Sequence, residues 1–270
     1  MKSLIFPTDF SPNAEKAFEY ACMIAQKGNL EMIIANAYDL PYSQNVMTTS
    51  LLEILKETSE KGVDEVRAKA QAKGLRCHSF SLMGNPIRVV KDLVKRFPDS
   101  MVVMGTKGAS GIEEVLIGSN TASVLHSVDV PVLAIPEDAE VVPFDRIVYA
   151  SDYLSKKNDR ALSRLAYIAE LFSSKLDIIH IEVEHERGQK EEAIKKFDHH
   201  FANVKYEIHE LKGEDIQGTI LHFAKDNHAQ MVALLARKYG LIEGLFHRSV
   251  TSKVAYHSHI PFLALHEFEM

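Results

Sequence analysis

Residues 101–137 read MVVMGTKGASGIEEVLIGSNTASVLHSVDVPVLAIPE, and residues 231–267 read MVALLARKYGLIEGLFHRSVTSKVAYHSHIPFLALHE. At a constant offset of 130 and without a gap, 11 of these 37 pairs are identical, among them Met101/Met231, Glu113/Glu243, Ser119/Ser249, Thr121/Thr251, Pro131/Pro261 and Ala134/Ala264. Two more matches occur in the same order. Leu4-Ile5-Phe6-Pro7-Thr8-Asp9-Phe10 aligns with Ile147-Val148-Tyr149-Ala150-Ser151-Asp152-Tyr153, and Leu82-Met83-Gly84 aligns with Leu211-Lys212-Gly213. Three ordered matches make the chain a tandem duplication. The join lies near Glu137–Pro143, which predicts domains at 1–140 and 144–270. A length of 270 residues suits two domains of ordinary size.

Each copy alternates strand and helix signals. In the first, Ser3–Phe6 is a short apolar run, and Asp9-Phe10-Ser11-Pro12 is a turn that opens a helix. Ala14–Lys27 places Ala17, Phe18, Ala21, Ile24 and Ala25 on one helical face, stopped by Gly28. Leu30–Ala37 reads as a strand, Ser50–Lys73 as an amphipathic helix ended by Gly74, and Cys77–Met83 as a strand. Pro86–Phe97 is a helix with proline in its first turn, Ser100–Met104 a buried strand, Ser119–Ser127 a helix and Val132–Ile135 a last strand. This alternation predicts an α/β protein: two tandem, doubly wound, open parallel five-stranded sheets with helices on both faces. Ligands in such sheets sit beyond the carboxyl ends of the strands, at a topological switch point.

Composition narrows the function. The net charge is −6, with 14 Lys+Arg against 18 Asp+Glu up to residue 140 and 17 against 19 after it. Neither half carries the basic footprint of a nucleic-acid binder, and this sign is repelled by anionic lipid. The longest apolar stretches are strand-sized, so no membrane-spanning helix is expected. No basic, apolar leader is expected at Met1, where a strand pattern begins at Ser3. Two cysteines, Cys22 and Cys77, make no disulfide framework and read as reduced thiols of a cytoplasmic protein.

The loop after the fourth strand carries glycine at 105, 108, 111 and 118, then Ser119 and Asn120 at a helix start. Glycines permit positive φ and close backbone approach, and successive N–H groups beside a helix N-terminus make a seat for a polyphosphate. The bland alternative is a flexible connection capped by Ser119. No Gly-Lys dipeptide, Gly-x-Gly-x-x-Gly, Gly-x-Ser-x-Gly or His-Glu-x-x-His occurs, so a Walker A loop, a dinucleotide fingerprint, a hydrolase elbow and a zincin helix are absent.

The spacing Gly105-x2-Gly108-x9-Gly118-Ser119 resembles the Gly-x2-Gly-x9-Gly-Ser/Thr motif of ATP-binding universal stress proteins. Phe6-Pro7-Thr8-Asp9-Phe10-Ser11 is similar to that family's opening strand, and Val130–Ile135 to its last. The resemblance covers nearly the whole chain as two family domains. It implies a Rossmann-like fold of the adenine nucleotide alpha hydrolase type and a cytoplasmic stress-response module that binds ATP, with Mg as the accompanying ion. Gly105, Gly108, Gly118 and Ser119 would then wrap the phosphates, with Asn120 nearby and Met104 just before. Asp9 would face the nucleoside beside Pro7 and Thr8, and Ala37 and Gly84-Asn85-Pro86 would border base and ribose. Asp9 is also readable as an N-cap for the helix from Pro12, and Gly84 as a turn residue. Asp9 is repeated as Asp152, which supports binding, yet Asp152 persists where the glycines do not, which supports structure.

In the second copy Gly105, Gly108 and Gly118 become Leu235, Lys238 and Arg248, and only Ser249 is retained. That copy is expected not to bind ATP in the family's manner; Arg237, Lys238, His247 and Arg248 could hold another ligand. Of 13 histidines, 11 lie after residue 140, but His199-His200 and His257/His259 do not make a converging zinc set, and His180 reads as structural. No base-and-nucleophile pair is evident, so slow hydrolysis is the most catalysis expected. An adenine-nucleotide-using enzyme of the same superfold and a ligand-free scaffold are the rival readings. The last strands, Val132–Ile135 and Phe262–Leu265, are expected near a sheet edge and to pair within the chain as a pseudo-dimer, with a homodimer of whole chains beyond that.

Overall fold

A computed structural model describes residues 1–39, 49–106, 118–153, 158–182, 190–236 and 259–266. The first copy runs β1 (Ser3–Pro7), α1 (Pro12–Gly28), β2 (Glu31–Tyr38), α2 (Thr49–Ala72), β3 (Cys77–Met83), α3 (Pro86–Arg96), β4 (Ser100–Gly105), α4 (Ser119–Ser127) and β5 (Val132–Ile135). The second runs β6 (Arg146–Ala150), α5 (Asp159–Phe172), β7 (Lys175–Glu182), α6 (Lys190–His200), β8 (Lys205–Lys212), α7 (Ile216–Asp226), β9 (Met231–Ala236) and β10 (Phe262–His266).

Local chemistry accounts for the helix ends. Ser11 accepts the Ala14 N–H at 3.2 Å and Pro12 fills the first turn, so α1 starts there. At its other end the left-handed residue is Asn29 (φ 49°), one position beyond the expected Gly28. Asn85 caps α3 by accepting the Ile87 N–H at 2.9 Å, again ahead of a proline. Alanine and aromatic side chains of α1 bury one face of the helix, as its 3.6-residue period requires.

Each copy forms a parallel five-stranded sheet, and the two sheets are one. The strand order is β3-β2-β1-β4-β5-β10-β9-β6-β7-β8. β5 and β10 join the halves as an antiparallel pair with Leu133 opposite Leu263. Each last strand is the edge of its own five-stranded sheet, and the two edges pair as expected, which places them at the centre of the ten-stranded sheet. That arrangement also occupies the strands through which a homodimer of whole chains was expected. One core lies under α1, α2, α5 and α6, and a second under α3, α4 and α7 on the opposite face. Within the first copy β1 is flanked by β2 on one side and β4 on the other, which is the switch point.

The copies differ inside. Ser3, Ile33 and Phe80 of the first copy correspond to Arg146, Asp177 and His209 in the second, by the matching registers of β1/β2/β3 and β6/β7/β8. Asp177 is fully buried and accepts from Arg146 and, at 2.9 Å, from His209. Burial works against its charge, but the hydrogen bonds from Arg146 and His209 outweigh it and hold its carboxyl below the usual range. A lowered folded-state pKa gives stability that is present above the unfolded value near ~3.9 and is lost as pH falls through the folded one. Asp177→Ala is expected to cost about 3 kcal/mol at neutral pH and to flatten the acid limb of stability. Urea titrations of the full chain at neutral pH and below about pH 4 read both effects.

Candidate functional site

The carboxyl end of β1 is held by three bonds. Thr8 N–H donates to the Ala35 carbonyl at 2.9 Å, and the Asn36 side-chain amide donates to the Thr8 carbonyl at 2.7 Å. Phe10 then takes a left-handed φ of 63°, with its N–H donated to Thr8 Oγ1 at 3.0 Å, and its ring lies against α2 at Gly62. Asp9 Oδ1 accepts the Ser11 N–H at 3.1 Å. Asp9 thus secures the turn before α1, and the helix cap is Ser11 rather than Asp9. The second copy repeats the device: Tyr153 has φ 60° and donates to Ser151 Oγ at 3.3 Å, and His180 Nδ1 meets the Ser151 carbonyl at 2.9 Å where Asn36 meets Thr8. His180 is therefore structural.

β4 ends at Gly105, where a Cβ would sit 2.9 Å from the Asn13 side chain. Thr106 and Gly118 meet, the Gly118 N–H donating to the Thr106 carbonyl at 2.5 Å. Thr121 Oγ1 donates to the Gly105 carbonyl at 2.8 Å and ties α4 to the strand. Gly118 occupies the N-cap position of α4 with φ −71° and makes no side-chain cap to the helix. Two expectations change here. Neither Gly105 nor Gly118 adopts positive φ; Gly105 is required by its approach to Asn13, and Ser119 is the first helical residue instead of the cap. The first-turn N–H groups of α4 have no intrahelical acceptor, so an anion is their natural partner.

These ends enclose one open cleft of about 120 Å³, smaller than the ~300–1,000 Å³ usual for small-molecule sites. Pro7, Thr8, Asp9, Ala37, Met104, Gly105, Gly118, Ser119 and Asn120 all line it. Gly84 does not: it makes the β3–α3 turn at φ 134° and donates its N–H to Tyr38. Gly108 lies outside the described residues, as do Arg237, Lys238, His247 and Arg248. The wall also includes Ala14, Ala35, Asn36, Val89, Val90 and Thr121, which sequence reasoning missed. Asp9 is the one charged side chain on the described wall, and no described lining residue is His, Cys, Lys or Arg.

A comparison of the copies could have found part of this wall. By strand register Ala35 and Ala37 correspond to Ile179 and Ile181, all four on the same face of the sheet. Ile179 is fully buried and Ile181 9% exposed, so the second copy fills with isoleucine the space that alanine leaves in the first.

Outside the cleft, the described polar clusters are accounted for by their own partners. Asp177, Glu207 and His209 bring ligand atoms within 4.8 Å of one another, but Arg146 and Lys175 already neutralise the carboxylates, which disfavours a cation. His200 meets Asp159 and Ser163, and His259 meets Asp138 at 2.7 Å; His257 lies outside the described residues. Burial pushes the Cys22 thiol up to about 12 and raises that of Cys77, so neither is activated. No described helix is long and apolar enough to cross a membrane.

Known proteins resemble this chain throughout. The profile of the Universal stress protein family matches residues 1–136 and again residues 143–266. Universal stress protein MJ0531 of Methanocaldococcus jannaschii is 28% identical over 138 residues, covering 50% of this chain and 81% of that protein. Universal stress protein Sll1388 of Synechocystis is 25% identical over 147 residues, covering 49% of this chain and 96% of that one. The crystal structure of a universal stress protein from Archaeoglobus fulgidus superposes with a TM-score of 0.82 at 23% identity, covering 99% of this chain and 97% of that one.

Proposed function

Because the chain belongs to the universal stress protein family, with two family domains in tandem, we propose that its first domain binds ATP or another adenine nucleotide. The chain then works as a cytoplasmic, nucleotide-responsive stress module whose second domain is a permanent pairing partner. The observation that carries this reading is the N-terminus of α4, with Gly118 at its cap position, facing a cleft walled by small apolar residues at the switch point. Phosphate oxygens suit the first-turn N–H groups, which have no acceptor inside the helix, and a flat base suits the alanine and valine wall.

A divalent ion fits this site only in part. The described wall offers one carboxylate, Asp9, and the hydroxyls of Thr8 and Ser119. Magnesium there would take most of its ligands from phosphates and water, with Asp9 and Ser119 as the protein's contribution. Asp9 is the only ionisable group on the described wall, so the cleft retains nucleotide more readily than it turns it over.

Isothermal titration of the purified chain with ATP, followed by chromatography of the mixture, tests the proposal. Stoichiometric ATP recovered intact supports a binding module. Rapid conversion to ADP or AMP supports an enzyme, and no heat of binding supports a ligand-free scaffold. Gly118→Arg, which installs the residue the second copy has at this position, is expected to weaken ATP at least about tenfold by placing a long side chain beside the anion seat. Undiminished affinity in that variant removes the role given to α4.

A further inference from the structure

We propose that His266, at the end of β10 in the second domain, is a positioning residue for α4, the anion-facing helix of the first. This rests on the nucleotide reading of the cleft. His266 is 3% exposed, and its Nε2 lies 2.6 Å from the carbonyl oxygen of Leu125. A carbonyl only accepts, so Nε2 carries the hydrogen and donates it. Leu125 is one of the last four residues of α4, whose carbonyls find no donor inside the helix. The bond therefore pins the end of α4 opposite the one that faces the cleft.

The length of α4 makes this pin consequential. Nine residues span about 13 Å, too few for a helix that holds its own shape or place in water. Three of its side chains, Thr121, Val124 and Leu125, are buried, and Thr121 ties the first turn to Gly105. His266 supplies a tether at the last turn, and the two together fix the axis along which the first-turn N–H groups point. The tether runs one way. The counterpart of His266 in the first copy is Pro136, which has no donor to offer. The domain that lost its own glycines thus contributes a residue to the seat of the intact one, across the β5–β10 junction.

Four full-length proteins test this: wild type, His266→Leu, His266→Gln and His266→Asn. Leucine keeps the bulk and loses the donor, glutamine restores an N–H at similar reach, and asparagine carries an amide too short to reach. The readouts are ATP affinity by calorimetry and backbone hydrogen exchange over residues 119–127 without nucleotide. His266→Leu is expected to weaken ATP about fivefold to tenfold, the worth of one hydrogen bond. It should also speed exchange in α4 while leaving β1 and α1 unchanged, and His266→Gln should recover both. Asparagine replaces leucine in this comparison if leucine unfolds the chain. Wild-type affinity in the donorless variant, or a glutamine variant as weak as it, overturns the proposal. If wild type itself binds no ATP, the nucleotide reading fails separately, and unchanged α4 exchange in the donorless variant overturns the tether on its own.

Discussion

Ala37→Ile, and more completely the Ala35→Ile/Ala37→Ile pair, is expected to abolish ATP binding while the chain stays folded. Each change adds three carbon atoms to a strand face that forms one wall of the cleft. The second copy carries Ile179 and Ile181 in the same register, buried in the same core, so this backbone accepts them. Overpacking of a filled core usually costs ~1–3 kcal/mol; Ala37 borders the open cleft and its change should cost less, whereas Ala35 is 1% exposed and its change should cost about that much. The affinity should drop by more than about 100-fold, because the wall and the ligand would need the same volume. Calorimetry reads the loss and a thermal melt reads the fold. ATP bound by the double variant at wild-type strength would show that the nucleotide does not occupy this cleft. The reverse change, Ile181→Ala in the second domain, should not create a site, since Gly105 is also replaced there, by Leu235.

Residues 1–140 expressed alone are expected not to persist as a stable monomer. Removing the second domain uncovers β5, a strand of four buried residues whose outer edge pairs with β10 in the full chain. An apolar edge of this kind recruits another strand. The first domain should therefore form homodimers that recreate the Leu133–Leu263 contact as Leu133 with its own copy, or aggregate. Analytical ultracentrifugation over a range of concentrations distinguishes these outcomes from a monomer. In the intact chain the tether raises the local concentration of β10 to roughly the millimolar range, so the pair forms without a second chain. A monomeric, well-folded 1–140 fragment would remove the pairing role assigned to the second domain.

Much of the candidate cleft's lining was legible because it sits where the sequence is punctuated. Pro7, Thr8 and Asp9 end an apolar run, and Gly118, Ser119 and Asn120 open a helix, so their place beyond the strand ends follows from the alternation alone. The residues that were missed lie inside regular elements. Ala35, Val89 and Val90 read as ordinary core, since an alanine that leaves room for a ligand and one that packs against a helix have the same local pattern. Gly84 shows the converse: a glycine beside the site whose φ of 134° already explains it.

The sequence by itself determined the duplication, the βα alternation with its parallel sheets, and the position of the switch point, because these follow from periodicity and punctuation within short segments. Only the tertiary structure decided how the copies meet, which core positions are empty and which are filled, and what reaches α4. Those facts depend on pairs far apart in the chain: Leu133 with Leu263, Gly105 with Asn13, and Leu125 with His266. No local propensity encodes such a pair. It exists only once the sheet has brought the two residues within an ångström-scale fit, where volume and hydrogen-bond geometry decide the outcome.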